Sequence, residues 1–127
     1  MKIVLDTHVL VFAANGTLAE NRKQLLRKAD SEILFSTISL WEIAKLIQIG
    51  RLHPVGPIEQ YLARFSSHPR YQEVALTAPI LARMVDIAPK MHKDPADQLV
   101  IATALIEGAV LMTDDILIRK TKLVKVI

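Results

Sequence analysis

Apolar residues in this chain follow two periods. Solid runs such as Ile3-Val4-Leu5, Ile33-Leu34-Phe35 and Val110-Leu111-Met112 are short and bounded by polar residues, the pattern of buried strands. They predict strands over Lys2–Leu5, Glu32–Phe35 and Val110–Met112, with a weaker strand at Glu73–Leu76 and a last one at Leu123–Ile127. Between them the spacing changes to that of helices. Leu40, Ile43, Ala44 and Ile47 recur at i, i+3, i+4 and i+7, and Gly50 can end that helix at C′. Ile58, Tyr61, Leu62 and Phe65 repeat the spacing after the Pro/Gly-rich stretch from His53 to Pro57. Further helices are predicted from about His8, over Ala19–Ala29, over Ala78–Ile87 with Ile80, Leu81, Met84 and Val85 inward, over Pro95–Glu107, and over Ile116–Lys120. The order β-α-β-α-β-α-β-β implies a three-layer α/β/α, Rossmann-like domain with a central, mostly parallel sheet.

Polar positions sharpen this picture. Asp6, Glu42, Asp97 and Asp115 each fall where a strand ends or a helix begins, and in a parallel sheet those places share one rim. Acids converging there repel one another unless a cation sits among them, which points to a divalent-metal site. Each acid also has an ordinary explanation. Ser39-Leu40-Trp41-Glu42 reads as a capping box, and Asp94 reads as the N-cap before Pro95 with Asp97 near the helix dipole. Asp6 could cap the first helix, and Asp114 or Asp115 the short helix after Thr113. Capping accounts for single acids at helix starts, but not for one at nearly every element of the same rim.

Composition narrows the remaining options. At 127 residues the chain reads as one domain, and its 51% hydrophobic and 23% charged content is that of a compact protein. Without cysteine it has no disulfides or zinc thiolates. Asp6 and His8 interrupt the first apolar run too early for a signal peptide, and no stretch is long enough for a membrane span. A cytoplasmic protein is expected. There are 16 Lys+Arg against 13 Asp+Glu, so setting the four rim acids aside leaves a strongly basic remainder, suited to a polyanion. The bland reading of that charge is solubility.

The other polar residues predict no separate chemistry. His8, His53, His68 and His92 lack paired ligand spacing and read as structural or surface groups. No Gly-rich phosphate loop or Ser-His-Asp pattern is present. Trp41 lies off the Leu40/Ile43/Ile47 stripe and reads as packing at a domain or dimer surface rather than as a stacking platform.

Four blocks resemble PIN-domain nucleases: Lys2-Ile-Val-Leu-Asp6-Thr7-His8-Val9-Leu10, Ser39-Leu40-Trp41-Glu42-Ile43-Ala44, His92-Lys93-Asp94-Pro95-Ala96-Asp97-Gln98 through Ala102, and Leu111-Met112-Thr113-Asp114-Asp115. They run in register from first strand to last, and are most similar to VapC-like toxins of type II toxin–antitoxin modules. The resemblance implies a PIN-like fold and a ribonuclease whose catalytic acids are Asp6, Glu42, Asp97 and Asp115. Mg²⁺ or Mn²⁺ would be held by Asp6 and Asp97, with Glu42 and Asp115 acting directly or through water. Thr7, Thr113, Asp94 and Asp114 would support the site, the family pattern Thr-x-Asp selecting Asp115 over Asp114. Arg119, Lys120 and Lys122 are candidates for holding RNA. A protein antitoxin and a homodimer are further expectations of the resemblance. The Ile58/Tyr61/Leu62/Phe65 stripe and the Leu40–Ile49 helix could frame the antitoxin groove, or could simply face the core. The rival reading is a PIN-like module that binds RNA or protein without cutting, its acids serving as caps. A phosphoryl-accepting domain built on Asp6 is disfavoured because His8 stands where a second Asp is wanted.

Overall fold

The computed structural model describes residues 1–127. Four parallel strands, β1 (Lys2–Leu5), β2 (Glu32–Ser36), β3 (Tyr71–Val74) and β4 (Val110–Met112), form one sheet in the order β3-β2-β1-β4. Seven helices connect and cover them: α1 (Thr7–Asn15), α2 (Glu20–Arg27), α3 (Thr37–Gln48), α4 (Ile58–Ser67), α5 (Ala78–Ile87), α6 (Pro95–Glu107) and α7 (Ile116–Thr121). The strands' twofold alternation divides the core. Ile3, Leu5, Ile33, Phe35 and Met112 point to one face, among residues of α1 to α4 such as Leu10, Ile43, Tyr61 and Phe65. Val4, Leu34 and Leu111 point to the other, among Ile80, Val100, Ile101 and Ile118 of α5, α6 and α7. Both faces are covered, which is why the strands read as solid apolar runs. The predicted three-layer α/β/α architecture is therefore the observed one. Tyr61 and Phe65 belong to the core, so the α4 stripe faces inward, leaving Ile58 at its exposed end.

The topology also positions the site. From β1 the chain winds outward to β2 and β3, then returns to place β4 on the opposite side of β1. This reversal opens a crevice beyond the carboxyl ends of β1 and β4, the usual ligand position in such sheets. The Asp6 amide donates to the Met112 carbonyl at 3.0 Å and holds the mouth of that crevice together.

Three sequence expectations are corrected. The third strand lies at Tyr71–Val74, not Glu73–Leu76. Its register pairs Tyr71 with Ile33 and Val74 with Ser36, and Ser36 is where β2 gives way to α3, so beyond Val74 the strand has no partner. The last strand is absent as a regular element. After Lys122 turns left-handed at φ 54° the tail makes one parallel bridge, Leu111 to Val126, while Leu123 and Val124 pack against the core on the Val4/Leu34/Leu111 face of the sheet. Leu81 and Val85 face outward, 40% and 64% exposed, because α5 lies at the molecule's edge and buries only the narrow Ile80/Met84/Ile87 stripe.

Candidate active site

The crevice is built from four helix starts. Asp6 ends β1 and caps α1, its Oδ1 accepting the Thr7 amide at 2.9 Å. Its Oδ2 accepts the Thr113 hydroxyl from the end of β4 at 2.6 Å, and Thr113 Oγ1 in turn accepts the Asp115 amide at 3.0 Å. Asp115 caps α7, taking the Leu117 and Ile118 amides on one oxygen. Asp114, its neighbour, lines the same opening beside Asp6 and His8 but is paired with Arg22 at 2.8 Å. The two adjacent aspartates are thus distinguished by their partners: Asp114 has the Arg22 guanidinium opposite it, and Asp115 only backbone amides.

Glu42 is positioned differently from the sequence expectation. The N-cap of α3 is Ser36, whose hydroxyl accepts the Ile38 amide at 3.2 Å, so no capping box links Ser39 and Glu42. Ser39 is buried within the helix, its Oγ 2.8 Å from Thr7 Oγ1. Thr7 Oγ1 also bonds Glu42 Oε1. A hydroxyl has one proton, and the carboxylate can only accept, so Thr7 donates to Glu42 and accepts from Ser39. Freed from capping, Glu42 is presented to the crevice by the second turn of α3. The local signal misled because Ser36, three residues earlier, already ends a strand and supplies the cap.

Asp97 sits in the first turn of α6 behind its true cap, Asp94, whose Oδ1 accepts the Ala96 and Asp97 amides at 3.0 and 3.3 Å. Asp97 Oδ2 lies 2.6 Å from His92 Nε2. The His92 backbone is itself held, its carbonyl accepting from Gln98 Nε2 at 3.1 Å. Sequence reasoning missed His92 as a site residue. The only available signal was its place five residues before Asp97 in the same block.

Electrostatics set these acids apart. Lys or Arg partners stand opposite Glu20, Glu107 and Asp114, but none pairs with Asp6, Glu42, Asp97 or Asp115. Burial raises the pKa of Asp6, against the pull of the Thr113 hydroxyl, the Thr7 amide and the His8 charge, and Asp115 raises it further. Burial likewise raises Glu42, opposed by Thr7 and reinforced by repulsion from Asp6, Asp97 and Asp94. Asp97 is raised by burial, opposed by His92 and reinforced by Asp94, Asp6 and Asp115. The four acids thus feel one another across the crevice with no Lys or Arg at salt-bridge distance, and the one ring nitrogen within reach is His92 Nε2.

An all-oxygen, mutually repelling donor set suits a hard divalent cation rather than zinc. No three acid or imidazole groups converge closely enough to grip one ion in this arrangement. That agrees with the habit of Mg²⁺ to take one or two carboxylates and keep its waters. Among the basic candidates, Arg119 donates to the Thr113 carbonyl at 2.9 Å and so braces the crevice loop, while Lys120 and Lys122 are exposed.

Fold and site together define a doubly wound α/β protein with a carboxylate-lined crevice at its switch point. Comparison with known proteins agrees. The PIN domain model matches residues 3–123. The chain is 31% identical over 115 residues to Ribonuclease VapC22 of Mycobacterium tuberculosis, spanning 89% of this chain and 86% of that protein. Its fold matches the solved structure of VapBC-1 from nontypeable Haemophilus influenzae, with a TM-score of 0.75 at 14% identity over 100% of this chain and 97% of that one. It also matches VapBC2 from Rickettsia felis bound to a DNA fragment from their promoter, with a TM-score of 0.71 at 21% identity over 100% and 98%. The chain belongs to the PIN-domain family. No helix is long and apolar enough to cross a membrane.

Proposed function

We propose that this protein is a metal-dependent endoribonuclease, the toxin of a type II toxin–antitoxin pair, working in the cytoplasm as a homodimer of single-domain chains. The observation that carries the reading is the set of four rim acids without Lys or Arg partners at the switch point of a PIN-domain fold. A relative named as a ribonuclease supports the activity, and solved VapBC neighbours of the same fold support an antitoxin partner.

In this reading Asp6 and Asp97 are the direct ligands of Mg²⁺ or Mn²⁺, with Glu42 and Asp115 acting directly or through water. When bound, the cation would supply a water of lowered pKa and neutralise charge at the phosphate. The protein's own groups do the positioning. Thr113 and the Thr7 amide fix both oxygens of Asp6, Thr7 holds Glu42, and His92 holds one oxygen of Asp97. In-line hydrolysis would leave a 5′-phosphate and a 3′-hydroxyl. Lys120 and Lys122 would steer RNA along the rim.

The caps favour one other reading. Asp6, Asp94 and Asp115 do cap helices, as a non-catalytic binding module would require. Glu42 and Asp97 cap nothing, yet lie in the same crevice at a desolvation cost. Incubating total RNA with purified protein and Mn²⁺ or Mg²⁺ tests the choice. Discrete fragments that disappear with EDTA and in Asp6→Asn are expected. Intact RNA with folded, antitoxin-free protein would overturn the nuclease reading.

A further inference from the structure

The one tryptophan of the chain lies beside this crevice, and the site as described does not use it. Trp41 is 54% exposed on α3, although burying an indole is among the most favourable contacts available to a side chain. It forms the ridge between two clefts that both reach Glu42. The larger, about 490 Å³, is walled by Ile38, Trp41, Pro95 and Ala96, with Glu42 and Asp94 at its polar side. The smaller, about 170 Å³, carries Thr7, His8 and Lys45 beyond the same indole. Lys45 Nζ lies 5.6 Å from the Trp41 ring centre and lines the smaller cleft, whereas Pro95 lines the larger.

We propose that the Trp41/Pro95 cleft is a base-selecting subsite. It would take one unstacked RNA base carrying an exocyclic amine, next to the phosphate being cut. The proposal rests on the ribonuclease reading above. An exposed indole beside an apolar wall offers a stacking face, and single-stranded RNA is commonly held by such stacking. Lys45 places a cation in the adjoining cleft, where the RNA's next phosphate would run. Asp94 supplies the selection. Its Oδ1 is occupied by the Ala96 and Asp97 amides, while Oδ2 has no partner. A carboxylate oxygen accepts from the amine of adenine, cytosine or guanine. It is repelled by the two carbonyls that flank the single N–H of uracil. Continuity with Glu42 ties the cleft to the reacting phosphate, which an unrelated docking surface would not need.

Because Trp41 is the only tryptophan, its emission reports on this subsite alone. The experiment titrates the full-length Asp6→Asn protein with single-stranded A5, C5 and U5 oligoribonucleotides and follows tryptophan fluorescence. Cleavage by wild type with Mn²⁺ is measured in parallel. Quenching by A5 and C5, with U5 several-fold weaker, is expected. In the same background Trp41→Ala should weaken A5 binding about tenfold by fluorescence anisotropy of labelled oligomer, and Trp41→Phe only a few-fold. Asp94→Asn keeps the cap, since Asn caps as well as Asp, but offers an amide. It should level or reverse the preference against U5. RNA binding that leaves the emission unchanged, or is unchanged in Trp41→Ala, would overturn the subsite, as would emission that responds to a protein partner and not to RNA. Cleavage without a Trp41 response overturns this inference and leaves the nuclease reading standing. A base-selective Trp41 response without cleavage overturns the nuclease reading, and with it the placement beside a reacting phosphate, while leaving the cleft as a base-binding site.

Discussion

The two ends of the sheet treat charge in opposite ways. At the amino end, Lys2 meets Glu107 at 3.5 Å and the Met1 amine donates to the Asp30 carbonyl at 2.9 Å. Arg70 is tied to the Leu26 and Lys28 carbonyls at 2.8 and 2.9 Å. Aromatic packing closes the same region: Tyr61 and Phe65 meet edge to face at 5.5 Å, and Tyr71 stacks on His68 at 3.9 Å. At the carboxyl end, Asp6, Glu42, Asp97 and Asp115 receive only amides, hydroxyls and one imidazole, and burial keeps the pKa values of Asp6, Glu42 and Asp97 raised. At the amino end, Lys2, the Met1 amine and Arg70 find partners within the chain. The other leaves four acids without a Lys or Arg partner, the feature on which the proposed cation site rests. Stability and function are therefore divided between the ends.

The largest break in that contrast should come from Asp6→Asn. Loss of several kcal/mol of metal-assisted stabilisation implies a rate on the order of 10³-fold lower. The melting temperature of the metal-free protein should hold or rise, because a buried charge is removed. Turnover on RNA and a thermal melt check both halves, and activity within tenfold of wild type would count against the metal role of Asp6. Phe65→Ala is the mirror experiment at the amino end. A buried Phe truncated to Ala costs about 3–5 kcal/mol, so the urea midpoint should fall sharply. Turnover per folded molecule should stay within about twofold, since Phe65 touches no group of the crevice.

Metal addition sharpens the comparison at a smaller scale. Mn²⁺ at a hundred times its dissociation constant should stabilise wild type by about 2.7 kcal/mol, and Asp97→Asn much less at the same concentration. Equal shifts in both proteins would place binding elsewhere. The smallest effect concerns pH without metal. Because Asp6, Glu42 and Asp97 titrate above their ordinary values in the native state, the folded protein holds more protons than the unfolded one between the two ranges. Their contribution is therefore fully present below the ordinary carboxylate range and is lost as pH rises through the raised values. Denaturation at stepped pH, with Glu42→Gln as reference, should show wild type gaining on the variant as pH falls. The opposite slope would mean that the crevice acids are compensated after all.

Much of this molecule was legible in local chemistry. Helices α5 and α6 lie where Pro79, Pro95 and Gly108 punctuate the chain, because proline and glycine restrict backbone angles wherever they fall. The solid apolar runs located β1, β2 and β4, and the acids at their ends marked the rim before any tertiary contact was considered. Registration of one element against another carries no such local mark. β3 begins at Tyr71 because β2 offers partners only from Ile33 to Ser36, and the tail stays irregular, with a single bridge at Leu111 and a bond from the Thr113 amide to the Ile127 carbonyl. The fold alone brought Thr113 to Asp6 across 107 positions and Thr7 to Glu42 across 35, and it set Arg22 against Asp114 and not Asp115. Dihedral preference is a property of neighbours in sequence, so the sequence by itself determined the elements and the acids they carry. Which hydroxyl, imidazole or empty space each acid faces depends on sheet order and helix packing, and only the tertiary structure decided it.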